Sequence, residues 1–180
     1  YADDVEEYSI DECFADLTGL DGPLYMSYAD IAQRIMHEIE NELGLSVSIG
    51  IAPTKVLAKV ASKYKKPRGL TVITKDDASR YLKTVSIEKV WGIGRQTSEF
   101  LKNKGIFTAY SFAEKDIEWI RAQLSKPYEA IWFELNSVPV MNIDPKPKTA
   151  FASVQKTRSF HPPTNDIHFL LSQLSKHIED

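Results

Sequence analysis

Asp11 and Glu12 stand side by side in YSIDECFADLT, residues 8–18. In an extended strand, neighbouring side chains point to opposite faces. One of the two carboxylates then faces an interior or a sheet edge, where an uncompensated charge is costly. If the backbone bends there, both can reach one divalent cation. Hard oxygens suit Mg²⁺, which keeps water and takes one or two protein carboxylates together with substrate phosphates. Two-metal phosphoryl transfer uses carboxylates in this way. Read alone, however, the dipeptide is better explained as a solvated turn.

Two further stretches carry chemistry. TKVLAKVASKYKKPRG (54–69) repeats lysine at 55, 59, 63 and 66, a three- and four-residue spacing that lines one face of a helix. Such a face neutralises a triphosphate or a nucleic-acid backbone; an ordinary solvated face has the same pattern. VWGIGRQTSEFLKNKGI (90–106) places Gly92-Ile93-Gly94 before a helix and a second Gly-Ile after it. This is the helix-hairpin-helix pattern. Its glycines let the backbone approach a phosphate, and the following helix offers free N–H groups and its positive end. Arg95, Lys102 and Lys104 add charge. Contacts of this kind grip the sugar-phosphate backbone without reading sequence.

The elements that must position these residues follow from patterning. The chain has 180 residues, of which 43% are hydrophobic, so a core can form. No apolar run reaches the ~18 residues of a membrane span. The acidic start YADDVEEYS is no signal peptide. Cys13, the lone cysteine, excludes an internal disulfide, fits a reducing cytoplasm and reads as a small buried hydrophobe. Residues 1–52 carry twelve Asp and Glu against Arg34 alone, and residues 53–84 carry nine Lys and Arg against Asp76 and Asp77. This sign change suggests a polyanion partner beside a carboxylate site, or two halves that neutralise each other.

VEEYSIDECFADLT reads as two short strands or a hairpin with the acidic pair near the bend. A helix is expected from Tyr25 to Leu43, ended by Gly44. LSVSIGIA (45–52) reads as a strand, Pro53-Thr54 opens the lysine helix, LTVI (70–73) is a strand, and Asp76–Leu82 a helix. Together these imply a sheet with helices packed on one face. Short helices follow at roughly 95–104, 111–115, 117–123 and 126–136. VPVMNIDPKPKTAFAS (138–153) reads as an extended linker, VQKTRSF (154–160) as a strand, and the rest as a helix. Both ends read as cuts through a longer protein.

In this order the motifs resemble those of the Y-family translesion DNA polymerases (the ImpB/MucB/SamB family). YSIDECFADLT is similar to that family's YSIDEAFLDLT. SVSIGIAPTKVLAKVASKYKKPRG resembles its late palm segment, and VWGIGRQTSEFLKNKGI its thumb. The VWGIGR wording and TRSF sit closest to the UmuC branch, the catalytic subunit of polymerase V. The resemblance implies an α+β fold: a partial palm with an antiparallel or mixed sheet and helices on one face at 1–84. A small all-α helix-hairpin-helix thumb would occupy 85–141, a linker 142–153, and the start of an α/β little finger 154–180.

The resemblance also implies roles. Asp11 and Glu12 would be catalytic and would bind two Mg²⁺ ions, with a third metal-binding Asp expected upstream and the fingers missing. Lys66 would reach the incoming triphosphate. Lys55, Lys59, Gly92, Ile93, Gly94, Arg95, Lys156 and Arg158 would contact DNA. The partners would be primer-template DNA and dNTP, with a sliding clamp and accessory mutasome subunits also in view. Cys13 replaces the family's usual alanine. Two other classes stay open: a non-catalytic DNA-binding mutasome component that keeps the thumb, and a nucleotide cyclase with a palm-like sheet.

Overall fold

The acidic stretch folds back on itself. In the computed structural model, which describes residues 1–145 except Asp3 together with 166, 167 and 169, β1 (Val5–Ser9) and β2 (Glu12–Ala15) form an antiparallel hairpin. Glu6 faces Phe14 and Glu7 faces Cys13, and a register shift falls between Glu7 and Ser9. Side chains alternate, so Glu6, Tyr8, Glu12 and Phe14 share the inner face while Val5, Glu7, Cys13 and Ala15 are exposed. Cys13 is thus exposed and not the buried hydrophobe expected. In a two-stranded ribbon covered on one side, parity leaves odd positions of this register to solvent.

After a one-turn helix α1 (Asp21–Leu24), which the DGP break did not announce, α2 runs Tyr28–Leu43. Ser27 and Asp30 form a reciprocal capping box at its start, and Gly44 ends it. β3 (Ile49–Ile51), α3 (Lys55–Tyr64) and β4 (Leu70–Val72) make a strand–helix–strand unit in which β3 and β4 pair in parallel. β3 is shorter than the expected 45–52. The strands form two separate two-stranded sheets among the described residues, where one sheet was expected.

Gly50 sets how closely β3 lies on α3. A Cβ there would fall 2.2 Å from the Ala58 carbonyl oxygen and 2.2 Å from the Ser62 nitrogen, so only glycine permits the approach. The buried face of α3 is Val56, Leu57, Val60 and Ala61.

α4 (Ala78–Leu82) and a 3-10 turn at Ile87–Lys89 lead into four short helices: α5 (Arg95–Asn103), α6 (Ala109–Ala113), α7 (Ile117–Gln123) and α8 (Lys126–Leu135). Their positions match the sequence pattern closely. Side-chain caps from Thr108 and Asp116 start α6 and α7. One apolar core is continuous from Val56, Leu57 and Val60 on α3 through Ile87 and Leu101 to Phe112, Ile120, Ile131 and Leu135.

Residues 1–146 form one compact unit and 147–180 a second. In the second, Ile167 and Phe169 are helical, and the Phe169 N–H donates to Asp166 Oδ1 at 3.1 Å. The strand expected at 154–160, with Lys156 and Arg158, lies outside the described residues. No helix among the described residues is long and apolar enough to cross a membrane.

Gly50→Ala should destabilise the chain by about 3 kcal/mol, because overpacking here meets backbone rather than a yielding side chain. Urea unfolding of the two proteins checks this, and an unchanged midpoint would refute the contact.

Candidate active site

The hairpin bend puts the two carboxylates in different settings. Asp11 sits in the turn, exposed, where the Ser9 hydroxyl donates to its Oδ1 at 2.8 Å. Glu12 is the first residue of β2 and faces α3, where it meets the Lys59 ammonium. The Lys59 side chain is 8% exposed and that of Glu12 34%. One turn earlier, Lys55 Nζ lies 2.7 Å from Glu6 Oε2. The α3 lysines therefore do not line one solvated face. Lys55 and Lys59 point under the hairpin, Lys63 is exposed, and Lys66 lies exposed beyond the end of the helix.

Aromatic rings enclose the two buried ammonium groups. Lys55 Nζ lies 4.7 Å from the Phe14 ring centroid and Lys59 Nζ 4.9 Å from that of Tyr8. Both ions gain cation–π attraction in a desolvated place. Tyr8 packs edge-on to Trp91 with centroids 5.1 Å apart, and the Trp91 indole N–H donates to the Tyr8 hydroxyl at 2.9 Å. Trp91 immediately precedes Gly92, so this contact ties the hairpin to the glycine turn.

That turn is built as the glycine spacing predicts. Gly92 has φ +87°, a left-handed conformation that favours glycine. Ile93 is buried and its N–H donates to the Val90 carbonyl at 3.1 Å. Gly94 is the N-cap of α5 and makes no side-chain cap, so first-turn N–H groups of a nine-residue helix face outward. The Arg95 side chain is 90% exposed and, among the described residues, pairs with Glu99 one turn along α5 at 2.9 Å, a weak surface contact. Lys102 pairs with Glu88. The Glu88 backbone N–H, and after it Lys102, hold that carboxyl below the usual range.

Sequence reasoning missed Glu134. It is fully buried on α8 between Ile131 and Leu135. Its Oε2 accepts from the Val56 N–H at 3.1 Å, and its Oε1 accepts from Val140 N–H at 2.8 Å and Met141 N–H at 2.9 Å. Its backbone carbonyl accepts from Thr54 Oγ1 at 2.8 Å. A carboxylate at i+3 from one buried apolar residue and i−1 from another was the available signal.

Among the described residues no three His, Cys, Asp or Glu converge as a metal cage. Asp11 and Glu12 are adjacent hard-oxygen donors, Asp11 open at the bend and Glu12 with its Oε2 on the Lys59 ammonium; a Mg²⁺ shell that substrate phosphates and water complete takes one or two such carboxylates.

The carboxylate-bearing hairpin over the lysine-bearing helix and the glycine-turn helical module lie in one compact unit. Residues 1–63 match the impB/mucB/samB family. DNA polymerase IV of Pseudoalteromonas atlantica is 32% identical over 158 residues, which cover 87% of this chain and 44% of that protein. Two solved structures are similar. A Y-family DNA polymerase chimera, Dbh-Dpo4(243-245)-Dbh, aligns with TM-score 0.67 and 25% identity over 82% of this chain and 43% of its own. An insertion ternary complex of Dbh DNA polymerase aligns with TM-score 0.62 and 27% identity over 75% and 39%. The chain is similar to the Y-family of DNA polymerases over most of its length, and it spans less than half the length of these relatives. The likeness carries the family and does not reach the UmuC branch.

Lys59→Met should cost on the order of 1–2 kcal/mol, because it strands Glu12, whose partial exposure limits the penalty. Adding Glu12→Gln should recover most of that loss. A double-mutant cycle from urea midpoints checks this, and strictly additive losses would contradict the pairing. Exposure of Cys13 predicts reaction of one thiol with Ellman's reagent without denaturant; a thiol that reacts only in denaturant would contradict the hairpin's orientation.

Proposed function

We propose that the chain is the palm and thumb portion of a translesion DNA polymerase that performs template-directed nucleotidyl transfer across damaged bases. The palm is assigned to 1–84, the thumb to 85–141, the linker to 142–153 and the start of the little finger to 154–180. The observation that carries this reading is the acidic bend at Asp11-Glu12 over the lysines of α3, in one compact unit with the Gly92–Gly94 turn. The ternary insertion complex of a structural relative supports primer-template DNA and dNTP as partners.

Asp11 and Glu12 would hold Mg²⁺. When bound, Mg²⁺ supplies charge neutralisation at phosphate oxygens and lowers the barrier to attack by a hydroxyl. The protein's own residues do the positioning. Lys59 holds Glu12 on the inner face of the hairpin. Lys66, exposed after α3, is free to reach a triphosphate. The N-terminal N–H groups of α5, behind Gly92-Ile93-Gly94 and with Arg95 beside them, would grip a backbone phosphate. Lys156 and Arg158 are further DNA-contact candidates, whereas Lys55 and Lys59, withdrawn beneath the hairpin on Glu6 and Glu12, act through those carboxylates and not on DNA directly. A damage-response role, a clamp and mutasome subunits belong to the same reading.

Two experiments test it. In the complete protein, Asp11→Ala with Glu12→Ala should abolish primer extension while primer-template binding survives; extension that persists in the double variant would remove the metal assignment. The 180-residue chain alone should extend no primer. Its gel shift with primer-template DNA should weaken steeply between about 50 and 200 mM salt, as phosphate contacts require. Binding insensitive to salt would count against the DNA grip, and dNTP incorporation by the isolated chain would overturn its predicted inactivity.

A further inference from the structure

We propose that Glu134 is a positioning residue for the candidate site: through α3 it places the Lys55 and Lys59 ammonium groups under the hairpin. Its effect on catalysis rests on the polymerase reading; its placement of the lysines does not.

The carboxylate spans two elements. One oxygen takes the N–H of Val56, the second residue of α3, and the other takes the N–H groups of Val140 and Met141 in the strap that leaves α8. A buried charge needs such donors, and the α3 N-terminus adds the favourable end of its dipole. The same strap returns to the site. Lys55 Nζ donates to the Asn142 carbonyl at 3.2 Å as well as to Glu6, and the Asp144 N–H donates to that same Glu6 oxygen at 2.9 Å. Lys55 precedes Val56 in the chain, and Lys59 follows it within the next turn. The first turn of α3 is thereby clamped from α8; it carries the Lys55 ammonium and sets the position of Lys59 one turn on, the two groups that hold the hairpin's inner carboxylates.

A carboxylate is required for this geometry. An amide of the same shape accepts on one side only, and its NH₂ opposes N–H donors on the other. Glu134→Gln therefore keeps the volume and opens one half of the bridge.

Competitive amine labelling of the native 180-residue chain, read lysine by lysine by mass spectrometry, tests the placement. In Glu134→Gln, Lys55 and Lys59 should label at least about fivefold faster while exposed Lys63 keeps its rate, the mark of a local opening. Leu101→Ala, which leaves a cavity in the thumb core, controls for lost stability. Equal acceleration in both variants, or none in Glu134→Gln, overturns the proposal. Should Glu134→Gln fail to fold, Met141→Pro removes one donor and keeps the carboxylate. It should accelerate Lys55 labelling in the same direction, and an unchanged rate overturns the proposal.

In the complete protein, Glu134→Gln should slow single-turnover nucleotide incorporation about tenfold, with the Kd for primer-template DNA within about twofold of the parent. Faster labelling with an unchanged incorporation rate overturns the link to the site. If the parent complete protein incorporates no nucleotide, the polymerase reading fails and the labelling result alone decides where Glu134 acts.

Discussion

Two ammonium groups held beneath a two-stranded hairpin organise this structure. Lys55 and Lys59 are largely withdrawn from water, and a charge so placed is costly without an anion beside it. Glu6 and Glu12 are those anions, both on the inner face of the β1–β2 ribbon. A ribbon of two strands is marginal by itself. The ion pairs, the Phe14 and Tyr8 rings over the cations, and the Tyr8–Trp91 contact are what seat it. The acidic first third and the basic stretch after it therefore neutralise each other in part, as one reading of the charge distribution anticipated. Arg68 with Glu40 is another such pair.

That seating separates the two neighbouring carboxylates. Glu12 is held inward by Lys59, and Asp11 is left at an open bend. One charge is paired with an ammonium group and the other faces solvent, although they are adjacent in sequence. α3 supplies the positive side of the arrangement and in turn depends on α8, whose buried Glu134 meets its first turn.

The helical half behaves more simply. Its elements are short and close to where periodicity puts them, because each carries its own apolar stripe and stop signals. The glycine turn before α5 is equally local: the left-handed φ at Gly92 and the open N-cap at Gly94 are properties of a few consecutive residues. The sheet half was less legible. β3 is three residues long where the alternation covers eight, and the strands pair in two ladders among the described residues. Strand pairing depends on partners distant in sequence, which period-two alternation does not name.

The sequence by itself determined the hairpin with its acidic bend, the lysine helix, the glycine turn and the family likeness, since each rests on spacing within about twenty residues. Only the tertiary structure decided that Cys13 faces solvent, that Lys55 and Lys59 are buried ion-pair partners instead of a free basic face, and that Glu134 sits among backbone N–H groups from two other segments. The physical reason is common to all three. Whether a polar side chain is solvated or enclosed depends on what packs against it from elsewhere in the chain, and a charged residue has the same letter in either setting.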